Sequence, residues 1–364
     1  MRFKKVWVVF FLIKLFYVFF AVFIYSKLTV LGDTFGYLGA SLELTPRIIY
    51  SSTAMMDFTG ALFKLIFRLD VIACLPCMML AFYGVYYAVD RLNLYAYALP
   101  IVFLLSFPNF GVWTSIHGKE AVGCFFSGVL AVILVELIQG KYKFKLIDFI
   151  AFYLCAVFKP QYLLFITQAI ILIWFSNKFK NKYTTLVSGT VIIALNIAVL
   201  YIFRDFIDVL AKGMIINFQS NNDPNLAKST RSGVEWLTQY GFFNSAPYGM
   251  FISFFGPTPS EMLSKPTHLL SGLESIALIV VLISLALPQV IRNIYTLRFN
   301  PTIFFSYTLV FLGILFVHYP FGFLNPGSAI RYRCNFYFLF VVLAVNLLNN
   351  LRLRKYSQNV EFAV

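Results

Sequence analysis

The chain has 364 residues, of which 60% are hydrophobic and 12% charged, with a formal net charge of +14. Soluble proteins carry about 45–50% apolar and about 25% charged residues, so a soluble enzyme or secreted binding module is excluded. The 43 Phe and 22 Tyr exclude a solvated disordered chain, and positive charge scattered between apolar runs argues against a nucleic-acid partner; a polytopic helical membrane protein remains.

A helix that crosses the hydrocarbon core needs about 20 mostly apolar residues. Ten runs meet or approach this: 6–26, 71–89, 94–108, 119–138, 147–158, 160–177, 184–203, 269–291, 302–318 and 331–349. The 94–108 and 147–158 runs are short. The second is followed at once by Lys159-Pro160, which suggests a tight hairpin with 160–177. Continuous rather than alternating apolar residues exclude a β-barrel. The first run follows Met-Arg-Phe-Lys-Lys, is too long for a secretory signal and lacks a small-residue cleavage site, so it reads as a retained anchor.

With the N-terminus inside, short inner segments hold 15 Lys and Arg against four acids, net +11, and longer outer loops hold 13 against 11. Short basic loops face the cytoplasm. The expected fold is therefore all-α: one integral membrane domain over 1–364, a transmembrane bundle of about ten spans with both termini cytoplasmic. It has a first periplasmic loop over 27–70 and a large one over 204–268. Cys74 and Cys77 have redox-motif spacing, but like Cys124, Cys155 and Cys334 they lie in or beside spans and read as small packing residues. No disulfide framework, metal site or cofactor is indicated.

The polar residues collect in the outer loops. The first contains Gly32-Asp33-Thr34-Phe35-Gly36-Tyr37 and Arg47, and over 55–68 the apolar Phe58, Leu62 and Ile66 recur at helical spacing, as in an interfacial amphipathic helix. The second runs through Trp113-Thr114-Ser115-Ile116-His117-Gly118-Lys119-Glu120. Lys159 sits at the hairpin apex, Arg204 and Arg231 in the long loop, and His318, Arg331 and Arg333 in the last. Charges at such depth persist where they pair or meet a charged ligand. Arginine's planar fork suits phosphate, and a carboxylate beside a sugar hydroxyl can act as its base. Structural roles compete: Asp33 can cap a helix or pair with Arg47, Arg331 and Arg333 can anchor a span, and Lys159 can snorkel. The pattern suggests a phosphate-bearing lipid at the outer leaflet and chemistry at its head group.

An aspartate in the first outer loop with a tyrosine four residues on, here Asp33 and Tyr37, resembles the membrane glycosyltransferases of the GT-C fold. The N-in orientation, the amphipathic segment and the Lys-Pro hairpin are similar too. The whole-chain profile resembles the O-antigen and capsular repeat-unit polymerases (Wzy-type) of bacterial surface polysaccharide loci. The resemblance implies Asp33 as catalytic base, and Arg331 and Arg333, with Arg204 and Arg231, as ligands of the lipid-linked pyrophosphate. Tyr37, Arg47, Trp113, His117, Lys119, Glu120, Lys159 and His318 complete the candidate substrate-binding set.

The implied partners are the lipid bilayer, a polyprenyl-linked glycan, a chain-length regulator and a flippase. The implied location is the bacterial inner membrane with the active site facing the periplasm. A single-sugar transferase using a polyprenyl-phosphate donor, a lipid-linked oligosaccharide flippase and a membrane acyltransferase are the alternatives. The enlarged loop is modest and has no arginine-rich repeat, which leaves polymerase against single-sugar transferase open.

Overall fold

A computed structural model describes residues 2–220, 231, 233–295 and 300–361. Every regular element among them is helical. In chain order these are α1 (Arg2–Phe23), α2 (Thr34–Leu38), α3 (Ser52–Phe67), α4 (Asp70–Ala73), α5 (Leu75–Arg91), α6 (Ala98–Leu105), α7 (Pro108–Trp113), α8 (Lys119–Ile138) and α9 (Leu146–Phe158). There follow α10 (Pro160–Phe179), α11 (Lys182–Ile202), α12 (Arg204–Ser220), α13 (Gly241–Phe255), α14 (Pro259–Ser264), α15 (Pro266–Tyr295), α16 (Pro301–Leu324), α17 (Pro326–Tyr332) and α18 (Cys334–Glu361).

All ten apolar runs are helical, but not all are long. Six helices are long and apolar enough to cross a membrane: Lys5–Lys27, Asp70–Arg91, Lys119–Ile138, Pro160–Phe179, Lys182–Ile202 and Pro301–Leu324. A seventh counts if Pro326–Tyr332 and Cys334–Leu348, bent by 54°, form one broken span. Tyr95–Leu105, Leu146–Phe158 and Pro266–Val281 are shorter apolar helices. By length and composition the described residues thus hold six or seven spans. The run at 94–108 is cut because Pro108 starts a new helix, a position where its missing N–H costs nothing.

Helix α8 is the axis of the bundle, with every residue from Glu120 to Glu136 buried. It crosses α5 at Gly84 and Gly128. A Cβ on Gly84 would lie 2.5 Å from the Phe125 Cα, and one on Gly128 would lie 2.4 Å from the Gly84 carbonyl oxygen. Small residues let helix backbones touch where lipid supplies no hydrophobic drive. On its other side α8 packs against α18, with the Ser127 hydroxyl donating to the Asn335 carbonyl. Helices α10 and α13 pack on α16, and α11 lies at the edge, mostly exposed. The long loop has its own core. Trp236, fully buried, donates from Nε1 to the Tyr319 Oη at 2.8 Å, and Phe242 and Phe323 close around them.

Helix α3 starts on the side chain of Ser51, which accepts from Ala54 N–H. It turns Met56, Gly60 and Ala61 inward and leaves Leu65, Ile66 and Phe67 exposed. The buried stripe is therefore offset from the Phe58–Leu62–Ile66 one that spacing alone suggests.

Replacing Gly128 by Leu should lower the unfolding midpoint of the detergent-solubilised protein, because the added side chain meets backbone that cannot step aside; overpacking of this kind costs about 1–3 kcal/mol. The same change at Gly213 in α12, where an added Cβ meets nothing within 4 Å, should cost less than the Gly128 change, and equal losses at both positions would contradict the tight crossing.

Candidate functional site

The first turn of α8 opens on Lys119 and Glu120, and the positive end of a helix dipole favours an acid there. Glu120 is nevertheless buried, so it needs a cation. Arg331, at the end of α17, supplies it: Nε donates to Glu120 Oε1 at 2.7 Å, and Nη2 donates to Asp33 Oδ2 at 2.9 Å. One guanidinium thus joins residues 33, 120 and 331. Tyr37 Oη adds a bond to Asp33 Oδ2 at 3.2 Å, across one turn of α2. Gly32, at φ +56°, makes the approach possible, since a Cβ there would lie 2.3 Å from Arg331 Nη1.

Aromatic rings frame these charges. The Arg331 guanidinium stands 5.5 Å from the Trp113 ring and 5.5 Å from the Tyr332 ring. Lys159 Nζ lies 4.7 Å from the Tyr332 ring and 5.9 Å from the Tyr162 ring, and has no hydrogen-bond acceptor among the described residues. Lys119 Nζ donates to Thr53 Oγ1 at 2.8 Å and lies 5.9 Å from the Tyr37 ring. Asp57 is close enough to feel the charges of Lys119 and Asp33. Three cations with unspent donors therefore meet the carboxylates of Asp33 and Glu120, with that of Asp57 nearby, at one end of the bundle.

Asp33 is the most accessible of these, with its side chain 58% exposed. Burial alone would raise its pKa. Hydrogen bonds from Arg331 and Tyr37, with the charges of Arg331 and Lys119, outweigh that and hold it below its ordinary value. The Tyr37 phenol is pushed up by burial and by the Asp33 charge.

The remaining candidates lie elsewhere. His117 is buried beneath the cluster, with Nε2 at 2.9 Å from the Met56 carbonyl and Nδ1 at 3.2 Å from Cys77 Sγ. Arg47 sits exposed on a short turn at Pro46–Ile49, with no ion pair among the described residues. Asp33 meets Arg331, not Arg47. Arg204 stacks 4.2 Å from Tyr201 and stands 3.9 Å from Asp205. Arg231 makes a two-pronged pair with Glu261 at 2.7 and 3.0 Å and donates to the Phe323 carbonyl at 2.9 Å. Burial would raise the Glu261 carboxyl, but Arg231 and the Thr258 N–H bring it below its ordinary value. His318 is buried against the Ser253 carbonyl at 3.1 Å.

Arg333 and Arg331, two residues apart, face opposite ways. Arg333 is fully buried in the bundle. It donates to Ser275 Oγ at 2.6 Å, to Ser271 Oγ at 2.9 Å and to the Phe254 carbonyl at 3.0 Å, and faces Glu274 Oε1 at 3.2 Å. Glu274 Oε2 in turn accepts from the Phe110 N–H at 3.2 Å. Lys14, also buried, donates to the Thr114 carbonyl at 2.6 Å and to its Oγ1 at 2.5 Å. Buried charges thus hold both helix breaks, at 114–118 and at 333. Sequence reasoning missed Glu274, although an acid inside the 269–291 run is a readable signal. It also missed Gly32, Thr53 and Tyr162, which carry no such mark.

Because its pKa is depressed, Asp33 should keep its pair with Arg331 above its ordinary carboxylate value and lose it only as pH falls through the lowered one. Infrared difference spectra of the protein against Asp33→Asn should therefore show the Asp33 carboxylate band persisting below the ordinary titration range; disappearance within that range would remove the pair as its cause. Comparison with protein-family models, with curated proteins and with solved structures gives no match for the chain.

Proposed function

We propose that the chain is an integral membrane glycosyltransferase of the polymerase type, which joins undecaprenyl-pyrophosphate-linked oligosaccharide units at the periplasmic face in surface polysaccharide synthesis. The observation that carries the reading is the cluster itself: an accessible carboxylate, Asp33, beside Arg331, Lys119 and Lys159, whose donors are not all spent.

In this reading the hydroxyl at the non-reducing end of one lipid-linked unit attacks the anomeric carbon of another. Asp33 accepts the hydroxyl proton through its free oxygen. The new bond joins the hydroxyl oxygen to the anomeric carbon, the bond from that carbon to the pyrophosphate breaks, and the electron pair leaves with the lipid pyrophosphate. Arg331, Lys119 and Lys159 meet the charge that develops there. Tyr332, half-buried, stands beside the same point, whereas Trp113 and Tyr319 are buried in core packing.

A second reading has its own support. The helix pair Pro326–Tyr332 and Cys334–Leu348 is bent by 54°, and Arg333 at the bend pairs with buried Glu274, with Lys14 buried elsewhere in the bundle. Broken helices with buried intramembrane charges are a common basis for transport sites, so a lipid-linked oligosaccharide flippase is the alternative.

Asp33→Asn should lower polymer formation by about a hundredfold or more, and Arg331→Lys, which keeps charge but loses the fork, by about tenfold or more, each with normal protein in the membrane. Wild-type chain lengths in Asp33→Asn would sink the transferase reading, and lipid-linked glycan translocation by the purified protein in vesicles, lost in Glu274→Gln, would favour the flippase. For orientation, a cysteine at Ser41 in a chain freed of its five buried cysteines should react with an impermeant maleimide from the periplasmic side, and one at Lys143 only after permeabilisation. The reverse pattern would place the cluster on the cytoplasmic face.

A further inference from the structure

The two carboxylates on Arg331 are not equivalent. The Glu120 side chain is 2% exposed and the Asp33 side chain 58%. Among the described residues Glu120 pairs with Arg331 alone. Stripping a buried carboxylate of its partner leaves an uncompensated charge that water cannot reach. An exposed carboxylate that loses an arginine is simply rehydrated, and pairs of that kind have little net strength. Asp33 also keeps its bond from Tyr37 when the arginine is withdrawn.

We infer that Glu120 is the permanent counter-ion of Arg331 and Asp33 the exchangeable one, so that a phosphate or pyrophosphate group enters the cluster by taking Arg331 from Asp33. This rests on the reading of the cluster as a phosphate site. The incoming anion finds Arg331 Nη2 at the place Asp33 leaves, Nη1 alongside over Gly32, and the ammonium groups of Lys119 and Lys159. Asp33, released, holds its carboxylate free beside the bound anion. Binding of the phosphate-bearing substrate and unmasking of the base are then one event, and a hydroxyl acceptor meets an active base only after the donor is seated.

The test is binding to the full chain in phosphatidylcholine nanodiscs by calorimetry, with inorganic pyrophosphate in one arm and a polyprenyl pyrophosphate incorporated in the discs in the other. Asp33→Asn, which removes the competitor, should bind about two- to fivefold more tightly than the wild type, the gain that loss of an exposed ion pair supplies. Asp33→Ala guards against an asparagine that still accepts from Arg331 and should show the same gain. Arg331→Gln should abolish binding. Glu43→Gln removes an exposed acid of the same loop, its side chain hydrogen-bonded among the described residues only to Ser41, and should change nothing. Unchanged or weaker binding by both Asp33 variants, or an equal gain in Glu43→Gln, overturns the exchange and leaves the phosphate site standing. No binding by the wild type in either arm overturns both. A gain confined to the polyprenyl arm supports the exchange with a lipid head group as the anion, and a gain in both arms supports it for phosphate in general.

Discussion

A carboxylate buried at the start of a central helix has to be answered by a cation, and the ion pair of Glu120 with Arg331 is that answer. It ties the first turn of α8 to the end of α17, two elements 211 residues apart in sequence. Once the guanidinium is fixed by Nε, its remaining nitrogens point to where Asp33, Trp113 and Tyr332 stand. The pair is also why α8 can be buried along nearly its whole length. Its one early acid is neutralised at the end of the bundle, and the rest of its surface down to Glu136 is free to pack against α5, α9 and α18.

The opposite end follows the same logic with different partners. Glu136 closes the far end of α8 on Arg91 at 2.6 Å, and Lys145 reaches Tyr87 Oη at 3.4 Å. The bundle axis is thus an apolar rod with an acid at each end, each held by an arginine from another helix. Between the ends, packing is set by glycines rather than by charge, as the crossing of Gly84 and Gly128 illustrates.

Much of this was legible in the residues. Apolar run length marks the long helices but not α12, α13 or α14, which fold within the 204–268 stretch read as a loop, and of the candidate residues drawn from the polar loops Asp33, Tyr37, Lys119, Glu120, Lys159 and Arg331 come together. What could not be read was direction. Arg331 and Arg333 look alike in sequence, but a 54° bend between the helices that carry them sends one to the cluster and the other to Glu274. Span length was overestimated where helices end early, as at Leu105, because apolar composition continues past the break. The resemblance groups Arg204 and Arg231 with the phosphate ligands, yet each has a local partner, and local pairing leaves no trace in composition.

Lys14 gives the bundle a chronology. Its acceptors are on Thr114, 100 residues later in the chain. When the first helix enters the bilayer during synthesis, that partner has not yet been made. Until it is, the ammonium group must reach toward the interface or hold water, at a cost on the order of 3 kcal/mol for a lysine near a helix centre. The first span therefore enters the membrane with an unanswered charge and gains its full hold only when the segment after Pro108 folds back beside it. Assembly of the bundle is in that sense coupled to the arrival of the segment that carries Thr114.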